Sequence, residues 1–424
     1  MRICFLAAAL LGVVSAVADG LTLDQAIQRA KQYNGTVAAA ERSYLSARSS
    51  VAQANAAFFP TVSPQYRFLD SEQTFAGGFT TVGRLTFHQV SVGANWLVLD
   101  GGQRNNSLRR SRRLAQASKN STLWTRRQVL FTVVRQFYDA LRSQELLKVA
   151  DAQVDRARQT LEVTKTQVEV GEAAEKDTLQ AEADLANAIV QQIIARNQVT
   201  TSEASLKATI GWPGDESLPS LEVPPAPERL VVARTLGEAV ERGLENRPDL
   251  KDSRKRLEAD RFNVLTAQRN AGIDWQLNVN YSRNFEPDTT QNRNITFLMT
   301  YPLFDAGRTR ETVRQVRLGY ESSELLLAQQ VRDVRSEIES VFLTWEQNQE
   351  RLAASEVALR AAQLNYQAAT ESQQAGVSSI LDVTNAQVSL VTAETNYVQA
   401  VYDFYIADTQ LRLVIGEPLP GEEE

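Results

Sequence analysis

From Val133 to Val168 every seventh residue is apolar: Val133, Ala140, Leu147, Val154, Leu161 and Val168. Ser143, Ala150, Ala157 and Thr164, all small or slim, stand three places past the middle four. A seven-residue apolar repeat holds one seam of a helix against a partner, as in a coiled coil. The seam returns 205 positions on as Ile338, Trp345, Leu352, Leu359 and Tyr366, and Gln373 ends it. A second series, Val383, Leu390, Tyr397, Phe404 and Leu411, has Ala386, Ala393, Ala400 and Ala407 three places further on. Its earlier counterpart, Leu185, Val199 and Leu206, accompanies Ala181, Ala188, Ala195 and Ser202. Alanine on one edge and bulk on the other lets neighbouring helices approach closely.

The pattern predicts one unit built twice. Thr22-Leu-Asp-Gln25 is a capping box for a helix running to about Phe58, where Pro60 and Pro64 end it. Strands are expected near 61–70 and 84–97, joined by the glycine-rich stretch Phe75–Gly83. No lysine or helix start follows that stretch in register, so it reads as a hairpin loop and not a phosphate cradle. A long helix is expected from about Arg104 to Glu169. The chain breaks at Val170-Gly171-Glu172-Ala173, and a return helix runs from about Asp177 to Ile210. Residues 212–234 are proline-rich and aperiodic, a connector.

The second copy opens with Thr235-Leu-Gly-Glu238 and one helix to about Asn270. Strands near 273–283 and 293–303 follow, then a long helix from Arg308 to about Ser372, a break at Ala375-Gly376-Val377-Ser378, and a return helix from Ser379 to Val414. The repeats are therefore 19–211 and 235–416. The tail 417–424 is expected to end disordered from Gly421 onward. A helix of about 66 residues is ~100 Å long, and its return helix covers about half of that. The capped helix that opens each repeat has the length to cover the remainder.

In the strands Trp275, Leu277, Val279 and Tyr281 alternate with Gln276, Asn278, Asn280 and Ser282; Ile295, Phe297, Met299 and Tyr301 alternate with Thr296 and Thr300. Strands of about 9–14 residues cross a bilayer when tilted, and the alternation is that of a membrane-barrel wall. Four strands close no barrel. Two chains supply eight, filled by side chains, and three supply twelve, wide enough for a lumen. A soluble sheet capping the helices is the alternative. The apolar set is expected to face lipid, and Gln276, Asn278 and Asn280 to face water.

Composition adds an address. Residues 1–18 read as a secretory signal, with Arg2, the apolar run Phe5–Val14 and the cleavage site Ala16-Val-Ala18. That run is too short to span a bilayer, and no later stretch reaches a membrane helix. The only cysteine, Cys4, lies in the signal, so the mature chain is expected to hold no disulfide and no lipid-acceptor cysteine. A net charge of -6 argues against a nucleic-acid partner. The single histidine, His88, has no second ligand or nucleophile in register, so neither catalysis, metal nor cofactor is expected. The basic run Arg104, Arg109, Arg110, Arg112 and Arg113 is a solvated face or a lipid-headgroup contact.

In order, twice, at constant offset, these residues resemble the TolC-type outer-membrane efflux proteins, over essentially the whole mature chain. The resemblance is carried by Leu21-Thr-Leu-Asp-Gln-Ala-Ile, by Pro302-Leu-Phe-Asp-Ala-Gly-Arg, by the two G-x5-D turns (Gly171 to Asp177, Gly376 to Asp382) and by Ile380-Leu-Asp-Val-Thr-Asn-Ala-Gln387. It implies a homotrimer forming one tube, a twelve-strand outer-membrane barrel continued by a helical periplasmic tunnel. It also implies docking to a periplasmic adaptor (a membrane fusion protein) and an inner-membrane pump or ABC secretion transporter. The non-lipidated branch is the nearer one.

By the same resemblance the turns Gly171, Glu172, Ala173, Gly376 and Val377 meet the adaptor, and Asp177 and Asp382 narrow the periplasmic aperture. Asn385 stands where the family prototype has a further aspartate, and Gln373 and Ser378 replace its clamping tyrosine and arginine. The function implied is an exit duct for efflux or type I secretion. The alternative is an exported coiled-coil scaffold or adaptor without a pore.

Overall fold

The computed structural model describes residues 20–73, 83–171, 173–223, 235–286, 289–375 and 377–422. The expected signal segment, most of the glycine-rich loop, Glu172, Gly376 and the connector from 224 to 234 lie outside the described residues. In chain order the elements are α1 (Leu23–Tyr33), α2 (Gly35–Ala56), β1 (Thr61–Gln73), β2 (Gly83–Asp100), α3 (Gln103–Glu169) and α4 (Glu175–Ile210). They continue as α5 (Leu236–Asn246), α6 (Pro248–Arg269), β3 (Asp274–Glu286), β4 (Thr290–Thr300), α7 (Arg308–Gln374) and α8 (Ile380–Val414). The class is mainly α with one small antiparallel sheet. Two compact units emerge. One holds the chain up to Ala38, Arg126–Gly243 and from Glu337 onward; the other holds Ala39–Thr125 and Leu244–Ser336.

The helix expected to open each repeat is in each case two helices. At the first break Asn34 caps α2, its Oδ1 accepting the N–H groups of Thr36 and Val37 at 2.9 and 3.3 Å. Its Nδ2 donates to the Thr209 carbonyl at 2.9 Å. At the second, Pro248 is the first residue of α6, where its missing N–H costs nothing. Arg247, 3% exposed, chelates Asp249 at 3.1 and 2.8 Å and lies 4.7 Å over the Trp124 ring. The apolar period runs on through both breaks, so periodicity alone reads each pair as one helix.

In the first unit the predicted α3 seam is the core. Val133, Ala140, Val154 and Leu161 are buried, as are Ser143, Ala150, Ala157 and Thr164. Val154 and Ala157 pack with Ala188 and Leu185 of α4. In α8 Val383, Ala386, Leu390, Ala393, Ala400, Ala407 and Leu411 are buried. The α7 seam is covered less: Ile338 is buried, but Trp345, Leu352, Leu359 and Tyr366 are half-buried. Arg156 of α3 grips Glu394 of α8 through two hydrogen bonds of 3.2 and 2.8 Å. Asp403 of α8 takes Arg142 of α3 at 2.9 Å and Arg351 of α7 at 2.6 Å, so one carboxylate ties three helices. Ala188 has no exposed surface. Ala188→Leu is therefore expected to overpack the α3–α4 contact and cost about 1–3 kcal/mol. Thermal melting should show the loss, with Ala195→Leu, at a half-buried position, affected less.

The end of the chain corrects the sequence reading. Leu419 is buried, and Glu422 pairs with Arg127 at 3.1 Å, both side chains largely covered. Arg127 also donates to the Gly416 carbonyl at 2.8 Å, and Lys31 reaches the Gly421 carbonyl. Residues 421 and 422 are docked because a paired carboxylate and an apolar neighbour fix them; 423–424 lie outside the described residues. The connector's start is held too. Leu21 and Leu221 form a parallel bridge, and Arg29 lies 4.5 Å over the Trp212 ring.

The second unit carries the sheet, in the order β1-β2-β3-β4. All three pairs are antiparallel. β1 and β4 are the edges. β2 extends past the predicted end at residue 97 to Asp100, whereas β4 stops at Thr300, leaving Tyr301 just outside it.

Candidate functional site

The register sorts the sheet into two unlike faces. Residues directly opposite in an antiparallel pair share a face. Trp275 opposes Met299, Leu277 opposes Phe297, and Val279 opposes Ile295. The row continues through Trp96, Ala94 and Val92 of β2 to Val62 and Pro64 of β1, with Tyr66 and Phe68 further along. The Trp275 and Phe297 rings meet at 4.8 Å on this face. The opposite face reads Ser63 and Gln65, then Ser91, Gly93 and Asn95, then Asn278, Asn280 and Ser282, then Asn292, Asn294 and Thr296. Leu69, Phe87, Leu97 and Leu298 are exceptions on the polar face, and Asp70, Thr86 and Arg293, the last 5.9 Å from the Tyr281 ring, on the apolar one. Through the middle of the sheet one face is mainly apolar and the other rich in amides and hydroxyls. His88 belongs to the apolar face, with Nδ1 2.8 Å from the Tyr66 hydroxyl and its ring 4.8 Å from Phe68.

Each pair of strands leaves the sheet through one elbow design. Asp100 accepts the N–H of Gly102 at 3.1 Å and that of Arg104 at 2.7 Å; Gly101 and Gly102 take φ of 61° and 93°. Asp305 accepts Gly307 N–H at 3.0 Å and Thr309 N–H at 2.8 Å, with Ala306 and Gly307 at 53° and 84°. Left-handed backbone at two successive residues is what glycine supplies most readily. The carboxylate caps the long helix that follows, where a negative charge is favoured. In the first elbow Arg104 also binds Asp100 through Nε at 3.0 Å, and reaches the carbonyls of Ala57 and Val98 at 3.2 and 3.1 Å. Asp100-Gly-Gly102 and Asp305-Ala-Gly307 are alike in the sequence; the role of Arg104 was not legible, because it depends on the fold bringing the Ala57 carbonyl, 47 residues away, beside the elbow.

The helix turns in the first unit hold the remaining candidates. Gly171 sits at φ 82°, and the Ala173 N–H caps the Gln167 carbonyl at 3.2 Å. An added Cβ at Gly171 would meet nothing within 4 Å, so backbone conformation alone calls for glycine. Asp177 lies in the first turn of α4, its carboxylate accepting the Ala174 N–H at 3.2 Å. Asp382 does the same for α8, accepting Ser379 N–H and Oγ–H at 3.0 and 2.9 Å. Ser378 donates to the Ala369 carbonyl at 3.3 Å, which ties the turn to α7. Val377 is 82% exposed, and Asp382 and Asn385 are exposed on successive turns. Gln373 is half-buried. Each aspartate caps its own helix, and among the described residues neither bonds to the other turn.

Comparison with known proteins matches this arrangement along the chain. The model of the family described as "Outer membrane efflux protein" covers residues 26–212 and 239–417. The chain is 24% identical over 404 residues to the outer membrane efflux protein BepC of Brucella suis biovar 1, covering 92% of this chain and 84% of BepC. It is 25% identical over 306 residues to the alkaline protease secretion protein AprF of Pseudomonas aeruginosa, covering 68% and 61%. The crystal structure of CusC superposes with a TM-score of 0.83 at 16% identity, covering 93% of this chain and 92% of CusC. With its duplicated long helices, its two-faced sheet and a family match over both halves, this chain belongs to the outer membrane efflux protein family and is an outer-membrane protein.

Proposed function

We propose that the chain is the outer-membrane exit duct of a tripartite efflux or type I secretion system. In this role it conducts substrate passively from an inner-membrane transporter. The observation that carries the reading is the sheet register, which gathers every predicted lipid-facing residue within the strands onto one face and the amides onto the other. The apolar face meets lipid, with Trp275, Leu277, Val279, Tyr281, Ile295, Phe297 and Met299 in the wall and Tyr301 at its rim. Gln276, Asn278 and Asn280 line water.

The working assembly is a homotrimer. Exposed apolar rows on α4 (Ile189, Val190, Ile193 and Ile194) and on α7 (Leu343, Val357 and Leu364) are the surfaces that a second copy covers. Relatives named for efflux and for protease secretion support a periplasmic adaptor and an inner-membrane pump or ABC transporter as partners. The helix turns meet the adaptor, with Gly171, Ala173 and the exposed Val377 as the contact. Glu172 and Gly376, outside the described residues, complete it. Catalysis, metal and cofactor have no part in the duct.

Asp177 and Asp382 form rings of three at the aperture, flanked by Asn385, Gln373 and Ser378. Clustered carboxylates attract cations, and they also cap their helices. The test is planar-bilayer recording with multivalent cations added from the periplasmic side. Asp382→Ala is expected to lower cation selectivity and multivalent block, and Asp177→Ala to raise conductance by loosening the turn. Parental conductance, selectivity and block in both variants would reduce these aspartates to helix caps.

A further inference from the structure

The apolar face of the sheet changes character toward the ends that the hairpins join. Arg293 opposes Tyr281 on that face, and Arg283, two places beyond Tyr281, opposes Gln291. The two arginines are diagonal neighbours on adjacent strands, about 7–8 Å apart at the backbone. Both side chains are exposed. Each guanidinium lies over a ring, Arg283 5.3 Å from Phe285 and Arg293 5.9 Å from Tyr281. Among the described residues neither forms an ion pair. At the other end, where the elbows lead into α3 and α7, the strands carry Trp96, Trp275 and Met299 on this face and, among the described residues, no cation.

Strand length sets the level of these arginines. A tilted strand crosses a bilayer in about 9–11 residues. Ile273 to Tyr281 and Ile295 to Phe304 are runs of that length, and Phe304 is 88% exposed. Arg283 and Arg293 are the next positions on the same face beyond them. In the proposed barrel the helices leave at the periplasmic end, so both arginines stand at the outer headgroup level. Like charges side by side on one face repel, and an anion shared between them reverses the sign of that contact. A guanidinium presents its donors in a plane that matches phosphate oxygens two at a time. Gln291, opposite Arg283 and two places from Arg293, adds an amide for a sugar hydroxyl.

We infer that Arg283 and Arg293 hold a phosphate of an outer-leaflet phosphorylated glycolipid, of the lipid A type, against the barrel wall. Phe285 and Tyr281 lie under the two guanidinium groups and keep them flat on the sheet. The inference rests on the duct reading above, which sets this face against lipid, and names the lipid the face selects. A zwitterionic phospholipid carries an ammonium beside its phosphate, and that ammonium meets two arginines. A lipid A headgroup carries its phosphate on a sugar with no compensating cation, so the pair favours it.

Native mass spectrometry of the purified trimer, stripped of lipid and then given lipid A, tests the site. The parent is expected to retain lipid A, up to one per copy, and to retain its dephosphorylated form several-fold less. Arg283→Gln with Arg293→Gln should bring lipid A down to that lower level with single-channel conductance unchanged. Arg67→Gln, which alters an arginine on the amide face opposite Gln89, should retain lipid A as the parent does. Equal retention of the two forms by the parent overturns the site without recourse to any variant. Stronger retention of phosphatidylglycerol than of lipid A overturns it too and assigns the arginines to phospholipid. So does a double variant whose trimer dissociates at a lower temperature by as much without lipid A as with it, since the arginines would then serve contacts within the protein. In each of these cases a conducting trimer leaves the duct standing. A monomer without conductance overturns both.

Discussion

Leu277→Arg is expected to abolish insertion into the outer membrane, and Asn278→Arg to leave it largely intact. The two residues are neighbours on β3, the fourth and fifth of its 13 residues, and oppose Phe297 and Thr296. Burying an arginine at mid-bilayer on the lipid face of a barrel costs about 2–4 kcal/mol, whereas a water-lined lumen solvates it. In the proposed trimer, three copies multiply the penalty in one assembly. Heat-modifiable mobility of the membrane fraction and surface protease protection report assembly. Equal defects in both variants would show that the two faces meet the same solvent, which a pore wall cannot.

The second large effect is expected at the first elbow. Asp100 is 5% exposed and takes four roles at once: two backbone caps, the Arg104 pair and the start of the strand's last rung. Asp100→Ala leaves the covered Arg104 guanidinium without its carboxylate, and breaking a buried pair on one side costs about 3–5 kcal/mol. Asp305→Ala removes the same two backbone caps but strands no cation, since Thr309 stands where Arg104 does. Loss of a cap alone costs about 0.5–2 kcal/mol. Denaturation of the purified protein is expected to rank the variants in that order. A reversed order would mean that the Arg104 network contributes little.

Much of this architecture was legible in the chain. The heptad seams located both long helices because a period of seven survives any single substitution. The strand alternation located the sheet because a half-exposed strand must alternate. Single residues that act through distant partners were not legible. Asn34 divides the opening helix by bonding across to Thr209, and the apolar period gives no sign of it. Pro248 marked the second division, yet the helix period on both sides masked it. Glu422 looks like part of an acidic, unstructured tail until Arg127 is brought beside it.

The strand ends illustrate the same limit. The motifs at 97–102 and 302–307 are alike in sequence, yet one continues a strand and the other does not, because a neighbouring strand is present only in the first case. Asp177 and Asp382, the residues proposed for the aperture, stand out in the sequence by spacing and by the family resemblance. Their geometry as helix caps was predictable from the same spacing, since an acid at the third helical position is where a first turn accepts one.

The measurement that bears most directly on the duct is single-channel recording from the protein purified in mild detergent, with its mass determined in the same sample. The account requires a particle of three copies that inserts into a planar bilayer and opens in discrete conductance steps. A monomeric, water-soluble product that leaves the bilayer silent would contradict it and return the long helices to an exported scaffold without a pore.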